Sequence, residues 1–320
     1  MEFKKEGYIL TSSPHIRRPV STQKVMLLVI ATLVPAIIFS ILFFGTKVIA
    51  LYASAIITCL VTEGVIEYIR KKNIKSLADG SAIVTAILLV MTLPPSVGWH
   101  QTAVGSFIAI AVAKELFGGL GQNIFNPALV GRAFLSAAYP VSITTFEAPA
   151  KVFKFLPDAV SSATPLAAAK FDKVFTPISN LFFGQVGGCI GETSSLALIF
   201  GGIILLLIGV TNYRLVISYL GTVILFATIF WIKDPQTYAN PLFHLFSGGL
   251  ILGAFYMATD LVTSPTTNLG NVIFGVGAGV LVFLIRFFGG YPEGVMYSIL
   301  FMNACTPLIN RFTKNKVFGT

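Results

Sequence analysis

The sequence predicts an all-α polytopic membrane protein, with about ten transmembrane helices in two inverted five-helix repeats. Three observations lead there. Of the 320 residues, 55% are hydrophobic and 11% charged, whereas a soluble domain carries about 25% charged residues. Apolar stretches at 25–44, 48–66, 195–210 and 272–288 are of the length, roughly 20 residues, that crosses a hydrocarbon core of about 30 Å. Basic residues cluster between such stretches, and the second half of the chain repeats the punctuation of the first.

Residues 1–24 form a polar N-terminal segment with Lys4, Lys5, Arg17, Arg18 and Lys24. The apolar stretch after it is too long for the core of a cleavable signal peptide and is followed by further spans. Arg70, Lys71, Lys72 and Lys75 follow the second stretch, so both flanks belong on the cytoplasmic side and the net charge of +9 reports orientation, not nucleic-acid binding. The third segment, 81–93, stops at Pro94-Pro95 and reads as a broken helix. The fourth runs over 102–113 towards Lys114 and Glu115, and the fifth begins at Pro127, a favourable first helical position, and ends near 143. Residues 25–143 are thus a first five-helix repeat, and five crossings put the hydrophilic connection 144–186 outside the cell.

The second repeat, 187–310, contains 195–210, a turn at Asn212-Tyr213-Arg214, 215–232, and a segment 247–263 that stops at Ser264-Pro265. In each half an apolar segment ends at proline, and about 23 residues later comes a double glycine, Gly118-Gly119 or Gly289-Gly290. Each pair precedes an asparagine, Asn126 or Asn303. An odd number of crossings per half inverts the repeats, and their broken helices meet near the midplane. The tail 311–320, with Arg311, Lys314 and Lys316, then lies in the cytoplasm beside the N-terminus.

Ionisable groups at membrane depth are costly, so those inside apolar segments are candidates for function. Asp260, in LGAFYMATDLVTSP, is foremost by position; the alternative is a carboxylate bonding freed backbone N–H groups at a helix end. Glu115 and Glu293 lie beside the two double glycines, each readable as an ion ligand or as an interfacial carboxylate. Glu63 reads as an ion-pairing partner of the basic cluster at 70–75, and Asp79 as a helix cap. Gly119, Gly121, Asn123 and Asn126, in the glycine-rich piece 118–134, mark irregular backbone around a membrane cavity, with Glu293 and Asn303 their counterparts. That piece lacks the strand and the Lys-Ser/Thr of a P-loop. His15, His100 and His244 show no metal spacing, and no metal site is expected. Cys59, Cys189 and Cys305 read as packing residues; three thiols could at most share an iron–sulfur centre. In the connection, Pro165 biases Thr164 towards an extended backbone that would leave its hydroxyl accessible to a modifying enzyme.

SSPHIR at 12–17, KELFGGLGQNIFNPALVGRAF at 114–134, SSATPLA at 161–167, MATDLVTSPTT at 257–267 and YPEGVMYSILFMNACTPLIN at 291–310 span almost the whole chain. In these pieces the sequence resembles the family of membrane D subunits of Rnf-type ferredoxin:NAD oxidoreductases. More distantly it resembles the B subunits of the sodium-pumping NADH:quinone oxidoreductases, whose usual N-terminal extension is absent here. The resemblance implies a urea-transporter-like fold, an FMN joined covalently through its phosphate to Thr164 within Ser161, Ser162, Ala163 and Thr164, and a non-covalent riboflavin in the membrane part. Ser162 stands where the family usually has glycine. It also implies electron transfer from ferredoxin to NAD coupled to Na⁺ or H⁺ movement, with Glu115 and Asp260 at the positions of acidic residues associated with sodium uptake. The partners implied are the Rnf A, B, C, E and G subunits, membrane lipid, and a flavin transferase for maturation. The rival readings are a passive urea-type channel, which has no use for bound flavin, and a scaffold holding other subunits.

Overall fold

The computed structural model describes residues 21–70, 74–149, 162–192 and 194–314. The segment up to residue 20, Lys71, Lys72, the stretch 150–161 with Ser161, and the tail beyond Lys314 lie outside the described residues. Among those described the chain is helical, without a strand beyond one bridging residue, Glu147. In chain order come α1 (Thr22–Phe44), α2 (Lys47–Ile69), α3 (Ser81–Met91), α4 (Trp99–Ile110), α5 (Pro127–Ala138), α6 (Pro140–Thr144) and α7 (Pro165–Ala167). Then follow α8 (Ile178–Phe183), α9 (Ser195–Ile208), α10 (Tyr213–Lys233), α11 (Pro241–Phe246), α12 (Leu250–Leu252), α13 (Asn268–Phe288) and α14 (Val295–Phe312). Three wider π-helical stretches continue α4 (Ala111–Glu115), α7 (Ala168–Asp172) and α12 (Gly253–Met257).

Four of these helices, α1, α2, α10 and α13, are long and apolar enough to cross a membrane. That is fewer than the ten crossings expected, because α3, α5 and α9 stop after 11, 12 and 14 residues. The causes are local. α3 ends at Thr92, just before the two prolines, and α9 ends on Gly209 in the left-handed region at φ 79°. The fifth segment does not continue to residue 143: Pro140 has no N–H to offer the turn before it, so α5 breaks at Tyr139 and α6 starts anew. The segment expected over 247–263 is helical only from Leu250 to Met257. Beyond it the Asp260 carboxylate takes the N–H of Val262 and the Thr263 hydroxyl, and the backbone turns away.

Packing follows from small residues and apolar faces. α13 lies along α10, and Gly275 and Gly279 make the approach possible: a Cβ there would sit 2.7 Å from the Leu215 carbonyl oxygen and 2.9 Å from that of Tyr219. α2 packs on α3 and α4, α4 on α5, α13 on α14, and α1 on α9. Leu33, Phe44, Leu89, Tyr219 and Phe274 are fully buried in the single large core these contacts make.

The turns gather at two ends. At one, the start of α1, the start of α3, the end of the α4 π stretch, the α9–α10 turn and the residues after Met257 surround one cleft. At the other, Lys47 after the α1–α2 turn pairs with Glu147, the Ser96 hydroxyl donates to the Thr145 carbonyl at 2.5 Å, and the Ile190 N–H to the Leu93 carbonyl at 2.9 Å. Thus α1 begins at the first end and α9 at the second.

Candidate functional site

The cleft at the first end is open to solvent and spans about 730 Å³. Its apolar wall comes from α1 and α3, with Phe255 and Tyr256 of the third π stretch; its polar wall holds Lys114, Asn123, Asn126, Thr211 and Asp260. Asn126 is placed by its role as N-cap of α5, where its Oδ1 accepts from the N–H groups of Ala128 and Leu129 at 3.1 and 3.4 Å. Its Nδ2 donates to the Met257 carbonyl at 3.2 Å, and its backbone N–H to Asn303 Oδ1 at 3.2 Å. Asn303 in turn donates to the Thr263 carbonyl at 3.3 Å. The turn carrying Asp260 is therefore held at both its ends. Asn123 Oδ1 and Thr211 Oγ1 are buried without a hydrogen-bond partner.

Behind that wall is a buried ionic network. Lys114, only 2% exposed, donates to Glu63 Oε1 at 2.7 Å and to Ser81 Oγ at 2.6 Å, and the Ser81 hydroxyl donates onward to Asp79 at 2.6 Å. Asp79 also takes the Ser81 N–H at 2.7 Å, which starts α3. Glu115 pairs with Arg70 at 3.4 Å. Carboxylate oxygens of Glu63, Glu67 and Glu115 lie within 4.8 Å of one another. Among the described residues Glu63 is thus paired with Lys114, and Arg70 at the end of α2 reaches Glu115; Lys71 and Lys72 of the basic cluster lie outside the described residues.

The second end has its own network. Glu293 pairs with Arg132 at 3.3 Å and accepts the Gly249 N–H at 2.5 Å, and Cys189 and Glu192 offer ligand atoms within 4.8 Å of it. Met91, Leu129 and Met257 join these groups in lining a cavity of about 300 Å³. Arg286 donates to the carbonyls of His244 and Ser247 at 2.5 and 2.9 Å.

Thr164 lies nearer this end. Its backbone is extended (φ −68°, ψ 152°), as Pro165 dictates, but its side chain is not exposed: Oγ1 accepts the Ala167 N–H at 3.2 Å and the residue is 7% accessible. The proline that extends Thr164 also opens a helical turn, and an N-cap hydroxyl folds back over such a turn. Ser162 donates its backbone N–H to the Phe146 carbonyl at 3.0 Å, and Ala163 joins it to Thr164; Ser161 lies outside the described residues. Leu166, Ala169 and Lys170, from the stretch Thr164 caps, line an outer cleft of about 460 Å³ with Tyr238, His244 and Phe287.

The family model described as NQR2, RnfD, RnfE matches residues 9–319. The chain belongs to the NQR2, RnfD, RnfE family. Among curated relatives of this family member, one from Clostridium ljungdahlii, named as the D subunit of a proton-translocating ferredoxin:NAD(+) oxidoreductase complex, is 44% identical over 329 residues, covering 100% of this chain and 98% of the relative. One from Acetobacterium woodii, named as the D subunit of a Na(+)-translocating ferredoxin:NAD(+) oxidoreductase complex, is 44% identical over 314 residues, covering 97% of this chain and 95% of the relative. The D subunit of an ion-translocating oxidoreductase complex from Escherichia fergusonii is 35% identical over 344 residues, 97% of this chain and 98% of its own.

In this NQR2, RnfD, RnfE family chain, Asn123, Asn126 and Asp260 come together in one cleft wall, with Asn303 behind Asn126. Gly119 and Gly121 flank Leu120, which lines the cleft, without lining it themselves. Gly119 is instead needed where it is by its φ of 98° and by Glu115 Oε1, 3.3 Å from where a Cβ would stand. Glu293 belongs to the opposite end. Lys114, Arg132, Glu192 and Arg286 escaped the sequence reading; for Lys114, Arg132 and Arg286 the available signal was a cation inside an apolar run.

Proposed function

We propose that this chain is the flavin-carrying membrane D subunit of an Rnf-type ferredoxin:NAD⁺ oxidoreductase, which couples electron transfer to translocation of Na⁺ or H⁺. The observation that carries this is the cleft at the first end. Its apolar and aromatic wall and the unpartnered Asn123 Oδ1 and Thr211 Oγ1 suit an uncharged planar ring with a polar edge and a hydroxylated chain, the chemistry of riboflavin. Bound there, riboflavin would supply one-electron redox chemistry. Asn123 and Thr211 orient a polar edge, Phe255 and Tyr256 exclude water, and Lys114 and Asp260 set the charge at the cleft wall. Asp260, fixed by Asn126 and Asn303 through its flanking carbonyls, offers hard oxygen ligands to a cation that has lost water.

In this reading the ten apolar segments alternate between the two ends and form two inverted five-helix repeats in the cell membrane, both chain termini in the cytoplasm. The opposite starting ends of α1 and α9 support it. So does the grouping of Lys24, Arg70, Arg214 and Arg311 beside turns that the repeat assigns to the cytoplasmic end. Thr164 receives FMN as a phosphoester from a flavin transferase outside the membrane, acting before the turn closes over the hydroxyl. The A, B, C, E and G subunits are the partners.

The test is the purified chain, co-produced with the transferase. Its mass should exceed that of the polypeptide by one FMN, and fluorescence should stay with it through denaturing electrophoresis and vanish in Thr164→Val. A riboflavin should dissociate on denaturation and persist in Thr164→Val. A colourless parent protein would overturn the assignment.

A further inference from the structure

A line of hydrogen bonds runs from the lining of the first cleft to the surface, and binding a ligand there gives it no task. Lys114 and Ser81 both line the cleft, whereas Asp79 stands half-buried behind them on the turn before α3. Lys114 donates to Ser81 Oγ at 2.6 Å, and the Ser81 hydroxyl donates to Asp79 Oδ1 at 2.6 Å. The turn at Gly80, with φ 83°, brings the carboxylate back over Ser81.

The direction of this line is fixed. An ammonium donates and cannot accept, and Lys114 is also held by Glu63 at 2.7 Å, so the Ser81 hydrogen is turned to Asp79. A helix cap needs no more than the Ser81 N–H on Asp79, at 2.7 Å; the hydroxyl bond is additional to it. The charged groups on the elements around this turn are Lys24 of α1, Glu63, Glu67 and Arg70 of α2, and Lys114 and Glu115 of the α4 π stretch. Among the described residues Lys114 and Asp79 are the ones bonded to the Ser81 hydroxyl, and of these Asp79 is the one that water can protonate. The cleft has a ligand to serve: Asn123 and Thr211, 6% and 9% exposed, leave Oδ1 and Oγ1 unpartnered in its lining.

We propose that Asp79 and Ser81 are the proton inlet of this cleft, carrying protons from water to a bound redox ring. The proposal rests on the reading of the cleft as a flavin site. An electron entering an uncharged ring leaves it an anion, which a cleft of low polarity disfavours until a proton cancels the charge. Asp79, protonated from water, gives its proton to Ser81 Oγ as the Ser81 hydrogen passes to a basic atom of the ring, and the carboxylate left behind is reprotonated from water. One electron from the complex's donors and one proton from solvent thus reach the ring, and both residues end as they began. Lys114 keeps its proton throughout, and its charge draws the anion towards Ser81.

Asp79→Asn keeps the cap acceptor but relays no proton, Ser81→Ala keeps the capping N–H but has no hydroxyl, and Ser81→Thr restores one. Each is made in the purified chain with its dissociable flavin, which is counted first. The chain is mixed with reduced methyl viologen, a one-electron donor that carries no proton, in weak buffer with a pH indicator, and flavin bleaching and proton uptake are followed together. Uptake should keep step with bleaching in the parent and in Ser81→Thr, and slow by about a hundredfold in Asp79→Asn and Ser81→Ala. Added formate should restore it in Asp79→Asn and not in Ser81→Ala, a rescue that a purely structural cap would not show. Uptake at the parental rate in flavin-loaded Asp79→Asn or Ser81→Ala overturns the inlet and leaves the flavin site standing. If the substitutions release the flavin, the parent decides: its uptake rate in H₂O–D₂O mixtures should bow as two protons move together, and a straight line overturns the relay. A parent chain without dissociable flavin overturns the reading of the cleft and the inlet with it.

Discussion

The backbone N–H of Asn126 donates to the side-chain Oδ1 of Asn303, 3.2 Å away and 177 residues later in the chain. The two asparagines occupy corresponding places in the two halves, and each also holds one flank of the Asp260 turn, at Met257 and at Thr263. Asn303 is wholly buried. Replacing it with Leu keeps the volume but orphans the Asn126 N–H, at about 1–3 kcal/mol, while the Thr263 carbonyl keeps only the Thr306 hydroxyl at 3.0 Å. The thermal midpoint in detergent should fall by several degrees, whereas Asn310→Leu, at a half-buried position of the same helix whose bond from the Thr266 N–H is open to solvent, should change it less.

Lys114 is the counterion of Glu63 inside the helix bundle. Lys114→Met should destabilise by about 3–5 kcal/mol, because it strands a buried carboxylate. Adding Glu63→Gln should restore much of that loss. A double mutant no more stable than Lys114→Met alone would contradict the pairing.

His244, in the α11 connection, is pushed down from 6.5 to about 3 by burial, reinforced by the Arg286 guanidinium. The unfolded chain takes up a proton in this interval and the folded chain does not. Stability is therefore complete above about 6.5 and falls as pH drops towards 3, by up to about 1.4 kcal/mol per pH unit. Thermal midpoints measured from pH 7 down to 4 should decline more steeply in the parent than in His244→Phe.

Asp260→Asn, studied in the assembled complex, should reduce ion transport and its dependence on ion concentration while leaving subunit content unchanged. The carboxamide oxygen keeps the bond from the Val262 N–H, and its Nδ2 would donate to the Thr263 hydroxyl instead of accepting from it, while the charge is lost. Transport that kept its ion dependence would make Asp260 a structural cap.

What the sequence made legible was what depends on neighbours along the chain: where apolar runs begin and stop, the proline and glycine punctuation, the Asn126 cap, the broken helix before Asp260. It was blind to what depends on helices facing each other. Lys114 looked like the polar end of a span until α2 and α3 were seen to supply Glu63 and Ser81 to it. Thr164 looked exposed because proline dictates its backbone, while the direction of its side chain is decided by the turn that follows. Arg132 and Glu293 are 161 residues apart, and nothing local joins them.

The π stretch Gly253–Met257 gives consecutive side chains to different cavities, Phe255 and Tyr256 to the first cleft and Met257 to the cavity around Glu293. One short length of backbone therefore belongs to the walls of both spaces. A unit charge moved between the Asp260 turn and the Glu293 cluster across a polarised membrane would exchange up to about 2.3 kcal/mol per 100 mV with the field.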